Sequence, residues 1–159
     1  MQKEADRFVL LHHEILKGLE LNQFFLVYQP IYDVNSGKFT KCEALVRWQH
    51  PERGLISPLD FIAVAERTGA IRPLGHFVLK QALADSQLFR RQGLELQISI
   101  NRSSQEFNVH HVAQEWLQSI QQAGLEYNSI IFEITESLFM DRISVQQNNI
   151  LALHSEGVQ

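Results

Sequence analysis

One cysteine, Cys42, stands among 159 residues. That excludes an internal disulfide and fits a reducing cytosol. No apolar run approaches the roughly 18 residues of a membrane span. The start, Met1–Gln2–Lys3–Glu4–Ala5–Asp6, is polar and lacks the pattern of a signal peptide. These absences favour a cytoplasmic location. Low-complexity tracts, internal repeats and linkers are also missing, so a single domain is expected. There is no positive charge excess: the formal net charge is −4. That argues against broad binding to DNA or RNA duplexes, but leaves room for a small phosphorylated ligand held by a few placed groups. The seven histidines are scattered. The pairs His12/His13 and His110/His111 are sequence neighbours, which do not face each other on a helix, so they read as surface residues rather than metal ligands.

What is present is an ordinary globular composition, 45% hydrophobic and 20% charged, long enough for one sizeable core. Phe8, Leu11, Ile15 and Leu19 recur at helical spacing and predict a helix over residues 4–20. Phe24–Gln29 reads as a strand ended by Pro30. Asp33–Lys38 is a turn, and Phe39–Trp48 a second strand. So short a connection predicts an antiparallel hairpin. His50–Leu55 reads as a loop. Ser57 is a candidate N-cap with Pro58 in the first turn, Asp60 as capping-box partner, and Ile56 and Phe61 as a hydrophobic staple. Gly69 ends that helix, Pro73 opens a longer one, and Gly93 stops it. Then follow a strand over Leu94–Asn101, a helix containing Val112, Trp116 and Ile120, a strand over Ser129–Ile134, and a last helix over Ser144–His154. Strands alternating with helices are the signature of an α/β fold with a parallel sheet.

The chain is organised around Lys41–Trp48. Strand side chains alternate faces, so Glu43, Leu45 and Arg47 share one face and Ala44, Val46 and Trp48 the other. The second face is apolar and suits packing, and Cys42 belongs to it. The first holds a hard oxygen ligand and an anion-binding fork about 13 Å apart, at roughly 3.3 Å per residue. That suits a site for a metal ion and a phosphate. The plainer alternative is an edge strand with a surface ion pair. Asn101 and Glu133, like Glu43, fall at or near the C-terminal ends of predicted strands, the edge where α/β folds build sites. Asn101 alone suits a cap or turn. Glu133, following Ile130–Ile131–Phe132, suits a buried carboxylate that needs a cation, whether arginine or metal. Taken together, the three favour Mg²⁺ or Mn²⁺, whose preferred donors are hard oxygens.

Glu43–Ala44–Leu45–Val46–Arg47–Trp48 resembles the motif of the EAL domain family, bacterial cyclic di-GMP phosphodiesterases. Tyr28–Gln29–Pro30–Ile31, Gly54–Pro58, Ala65–Gly69, Ile100–Gln105 and Phe132–Ser137 resemble its other early motifs in order and spacing. The resemblance implies a modified (β/α)₈, TIM-like barrel with an antiparallel first strand. It implies that Glu43, Asn101 and Glu133 are metal ligands, with Glu43 and Glu133 central to catalysis. Gln29, Leu45 and Arg47 would contact the cyclic dinucleotide, Arg47 at a phosphate. Glu136 would stabilise an active-site loop. The implied reaction is metal-dependent hydrolysis of one phosphodiester bond to the linear dinucleotide.

A (β/α)₈ barrel takes roughly 250 residues. The expectation is therefore that residues 1–159 are a single, C-terminally incomplete EAL domain. Residues 1–22 would form the N-terminal helix, and residues 23–159 the first four strands with their helices, the N-terminal half of the barrel. The family's later paired aspartates, lysine, glutamate and glutamine are not in this sequence. The expected function is thus a phosphodiesterase that is impaired or inactive in this chain. The alternatives are a non-catalytic module that binds cyclic di-GMP or a protein, and a fragment without activity of its own. Self-association through an open half barrel is an expected partner mode. So is an upstream sensory or GGDEF domain, as is common in the family.

Overall fold

The computed structural model of the chain describes residues 2–134 and 144–159. Its centre is a hairpin. β1 (Phe24–Asp33) and β2 (Lys38–His50) pair antiparallel, as their short connection requires. The Asp33 carboxylate organises the turn by accepting from the Asn35 N–H at 3.0 Å and the Ser36 hydroxyl at 2.6 Å. Gly37 supplies the positive φ of 68° there. β2 also pairs in parallel with β4 (Gln97–Arg102), and β4 in parallel with β5 (Ile130–Ile134). The sheet order is β1-β2-β4-β5, with β3 (Gly54–Ile56) paired to the end of β2. The result is a partial barrel with a mixed sheet. α1 (Gln2–Glu20), α2 (Pro58–Thr68), α3 (Ile71–Arg91), α4 (Val112–Gln122) and α5 (Ser144–Ser155) complete it. None of the helices among the described residues is long and apolar enough to cross a membrane.

Two apolar clusters lie on the helix side of the sheet. In one, Cys42, Ala44, Ile98, Ile100, Ile130 and Phe132 meet residues of α3, α4 and α5. In the other, Phe24 and Trp48 meet Leu11 and Ile15 of α1, Phe61 of α2 and Leu74 of α3. The Phe24 and Trp48 rings stack with centroids 4.9 Å apart, and Trp48 Nε1 donates to Gln23 Oε1 at 3.1 Å. Trp48 and Trp116 are buried in these clusters, whereas Phe25 and Phe39 are exposed. Tyr28 ties β1 to α3 by donating its hydroxyl to Asp85 at 2.6 Å. Burial first, and the Asp85 carboxylate second, hold this phenol above its ordinary range.

Several local expectations are corrected. β1 does not stop at Pro30 but continues to Asp33, with Pro30 opposite Cys42. β1 lies at the sheet edge, where a missing N–H need not cost a ladder bond. The segment read as a loop after His50 contains β3, a strand of three residues that is too short to show a period. Buried His50 closes this turn, its Nδ1 accepting from the N–H groups of Glu52 and Arg53. Ser57 sits at the N-cap of α2, but its hydroxyl makes no cap bond; the Asp60 N–H donates to the Ser57 carbonyl instead. α3 begins at Ile71 rather than Pro73, and β4 at Gln97 rather than Leu94. Gly69 ends α2 in the left-handed conformation, as expected.

One buried ion pair links α3 to the end of β4. Arg102 Nη1 donates to Glu106 Oε1 at 2.9 Å and to the Gly75 carbonyl at 3.0 Å. α3 can approach this closely because residue 75 is glycine. A Cβ there would collide with Glu106 Oε1 and stand 2.9 Å from Arg102 Nη1.

Two expectations follow. Gly75→Ala should lower unfolding stability by about 1–3 kcal/mol through overpacking, measured by chemical denaturation; an unchanged midpoint would contradict the close approach. Burial pushes the Cys42 thiol up to about 11 from an ordinary 9.0, so the folded state holds that proton longer than the unfolded state does. Stability should fall as pH climbs from the unfolded value towards the folded one. Cys42 should resist a thiol reagent in mildly alkaline buffer until denaturant is added.

Candidate functional site

The side of the sheet away from the helices carries the polar residues. Alternation along β2 turns Cys42, Ala44 and Trp48 into the core and leaves Glu43, Leu45 and Arg47 half-buried on the other face. Gln29 of β1 is opposite Glu43, and Glu43 is opposite Ser99 of β4. Two residues on, Asn101 is opposite Glu133 of β5. Gln29, Glu43, Asn101 and Glu133 therefore lie on one face of four neighbouring strands. Within the set, Asn101 Nδ2 donates to Glu43 Oε1 at 2.7 Å. The expected metal-ligand residues, drawn from three separate strands, are thus brought together.

Glu133 departs from one expectation. It is exposed, and it makes no ion pair among the described residues. Solvent can support its charge, so the argument that burial forces a cation upon it does not apply. Glu136 lies outside the described residues.

The donor set fits a hard divalent cation. Two carboxylates and an amide are the ligand types that Mg²⁺ and Mn²⁺ accept. The amide nitrogen now faces Glu43, so coordination requires a half-turn of the Asn101 amide to present Oδ1. Beneath the set lies the Ser99 hydroxyl, buried and with no hydrogen-bond partner among the described residues. The scattered histidines contribute nothing here. His13, His110 and His111 are exposed, and His12 pairs with Thr68 Oγ1 at 2.9 Å. No group of three or more His, Cys, Asp or Glu suited to a metal occurs among the described residues.

Beside Asn101 and Glu133 is a cavity of about 420 Å³, bounded by β2, the end of β4, α2 and α3. Leu45, Arg47, Glu66, Asn101, Ser103 and Glu133 line it. The volume is within the range of small-ligand sites. Arg47 makes no salt bridge among the described residues; its Nη1 donates to the Val46 carbonyl at 2.9 Å. The rest of its fork is available to an anion. Gln29 is exposed, one strand away from the cavity wall.

Sequence reasoning missed the polar cluster that closes the far side. Ser103 donates its hydroxyl to Glu66 at 2.8 Å and its N–H to Glu106 Oε2 at 3.1 Å. Arg102 and Glu106 are each 4% exposed. Burial pushes the Glu106 carboxyl up and the Arg102 guanidinium down from their ordinary values, and the partner's charge opposes each shift. A signal for the pair was present. Arg102 alternates with Ile98 and Ile100 on the buried face of β4, and Glu106 follows at the fourth position.

The chain is similar to known proteins in sequence and in fold. The Escherichia coli cyclic di-GMP phosphodiesterase PdeR is 33% identical over 159 residues, which are 100% of this chain and 24% of that protein. The Pseudomonas aeruginosa bifunctional diguanylate cyclase/cyclic di-GMP phosphodiesterase MucR is 33% identical over 141 residues, 88% of this chain and 21% of that protein. This chain thus spans about a quarter or less of the length of these curated relatives. Among solved structures, the cGMP-bound EAL enzyme Bd1971 superposes with a TM-score of 0.88 at 28% identity, over 99% of this chain and 44% of that one. The PaMucR phosphodiesterase in complex with c-di-GMP superposes at 0.86 with 32% identity, over 94% of this chain and 61% of that one. The fold is therefore the α/β, TIM-like fold of EAL domain structures. Since the EAL domain family model also matches residues 12–159, nearly the whole of the chain described above, this protein belongs to the EAL domain family.

Proposed function

We propose that this chain carries the first metal position and the phosphate-binding arm of a cyclic di-GMP phosphodiesterase. The observation that carries the reading is the meeting of Glu43 with Asn101 at 2.7 Å, beside Glu133 on the neighbouring strand. The names of the relatives, cyclic di-GMP phosphodiesterases, support the substrate.

Glu43, Asn101 and Glu133 hold a Mg²⁺ or Mn²⁺ ion through oxygen. When bound, the ion lowers the pKa of a coordinated water and offsets charge on the phosphoryl oxygens. Arg47 swings from the Val46 carbonyl to grip a non-bridging phosphate oxygen, a charge-assisted bond. Leu45 presents an apolar surface to the nucleotide, and Gln29 an amide to its far side. This chemistry belongs to the cytoplasm, with which the lone free thiol of Cys42 agrees.

Three protein donors fill about half of the six-ligand shell that Mg²⁺ demands. A second ion of a two-metal site would need further carboxylates, and the described residues offer no richer cluster. We therefore read the described part as the N-terminal half of the barrel, and turnover by these 159 residues alone as impaired. The second reading, a module that binds the dinucleotide without cleaving it, is favoured by the same shortage of donors. The face carrying the site also exposes Phe25, Val27 and Ile31. That suits further barrel strands or a second copy as cover. An upstream sensory or GGDEF domain would join the chain ahead of α1.

Purified 159-residue protein with cyclic di-GMP and Mn²⁺, assayed by chromatography for the linear dinucleotide, should give little product yet bind the nucleotide in a titration. Robust product that disappears in Glu43→Ala would overturn the impairment. Neither product nor binding would defeat the substrate assignment. Arg47→Ala should weaken nucleotide binding about 10- to 100-fold, the worth of a hydrogen bond to a charged group, with unchanged circular dichroism. An equal affinity would remove Arg47 from the phosphate.

A further inference from the structure

Arg102 sits directly behind the candidate ligands. It follows Asn101 in β4, and the ladder places it opposite Ile134, one step beyond the Asn101–Glu133 pair. Its guanidinium lies over the Trp116 ring of α4 at 4.2 Å and over the Phe132 ring of β5 at 4.9 Å. Phe132 immediately precedes Glu133. One buried group therefore adjoins Asn101 in the chain and touches Phe132, the residue next to Glu133, from the opposite side of the sheet. Its direction is fixed by the Gly75 carbonyl of α3 and by Glu106, whose other oxygen accepts from the Ser103 N–H.

Stability alone is a poor account of this arrangement. Arg102 Nε and Nη2 are buried without a hydrogen-bond partner among the described residues. A buried ion pair with unmade bonds is commonly matched or bettered by apolar side chains of similar volume. An apolar side chain cannot supply direction. The guanidinium is held at once by α3, by Glu106, by a ring of α4 and by a ring of β5, so β4 and β5 cannot shift past each other at this level without breaking it.

We infer that Arg102 is a positioning residue for the metal site: clamped between Glu106, the Gly75 carbonyl, Trp116 and Phe132, it sets the spacing and direction of Asn101 and Glu133. The inference rests on the reading of Glu43, Asn101 and Glu133 as metal ligands. Supporting partners behind a metal site typically change affinity by about 10- to 100-fold when removed. Arg102 acts one step further back, through the backbone of β4 and the Phe132 ring, so the lower end of that range is expected.

The test compares Mn²⁺ affinity at matched stability. Arg102→Met alone strands Glu106 as an unpaired buried carboxylate and should lower the melting temperature. The double variant Arg102→Met/Glu106→Gln removes both charges and should recover most of that loss. Its Mn²⁺ dissociation constant, by calorimetry, should still exceed that of the wild type by about 10-fold. A double variant with both stability and Mn²⁺ affinity restored overturns the inference and leaves Arg102 as packing. Should the double variant not fold, Arg102→Lys keeps the charge beside Glu106 but loses the planar fork and its stacking. It should show the same weakening, and an unchanged Mn²⁺ affinity would overturn the proposal equally. A wild-type protein that binds no Mn²⁺ defeats the metal reading itself, and this inference with it.

Discussion

β2 is paired on both sides over Lys41–Ala44, antiparallel to β1 and parallel to β4. Side chains there alternate with a period of two, so a slip of one residue would exchange the faces completely. Cys42, Ala44 and Trp48 would leave the core, and Glu43 and Arg47 would be driven into it. The cost of burying that carboxylate and guanidinium, added to the loss of Trp48 from its stack with Phe24, holds the register in place. The position of the site depends on that one constraint. Because Glu43 is opposite Ser99, Asn101 falls within reach of it; because Asn101 is opposite Glu133, that carboxylate joins the same face.

The molecule distributes its charges unequally across the sheet. On the open face the carboxylate of Glu133 is exposed and that of Glu43 half-buried, so each retains solvent and can exchange it for a cation. On the covered face Arg102 and Glu106 are sealed in together. The first arrangement is cheap to hold and leaves the groups reactive. The second is costly to disturb, because removing either partner strands the other. Solvated polar groups at the front with a fixed pair behind them are a physical route to side chains that are accessible and still well placed. Gly75 belongs to this arrangement as well, since only a residue without a Cβ lets α3 reach the pair.

The likeness to EAL structures runs over nearly all of this chain, and over 44% and 61% of the two chains compared. The shared part contains the hairpin, the two parallel strands beyond it and the helices that cover them. That is enough to assemble Glu43, Asn101 and Glu133 beside Arg47. It also leaves Phe25, Val27 and Ile31 exposed on the same face.

Short-range features were legible in the sequence because short-range physics sets them. The hairpin followed from a connection too short for a crossover. The end of α2 followed from Gly69, and the two faces of β2 from simple alternation. The motifs around Glu43, Asn101 and Glu133 carried the family. Features that depend on what a residue lies beside were not legible. Pro30 stays within a strand because β1 is an edge. Ser57 leaves its cap bond unmade because the backbone closes the turn. Glu133 is exposed despite the apolar run before it. Only the tertiary structure decided which charges are buried. Alternation states the face a side chain takes, whereas desolvation depends on what the other elements lay across that face, and for Arg102 those are Gly75, Glu106, Trp116 and Phe132, brought there from distant parts of the chain or from the turn that follows it.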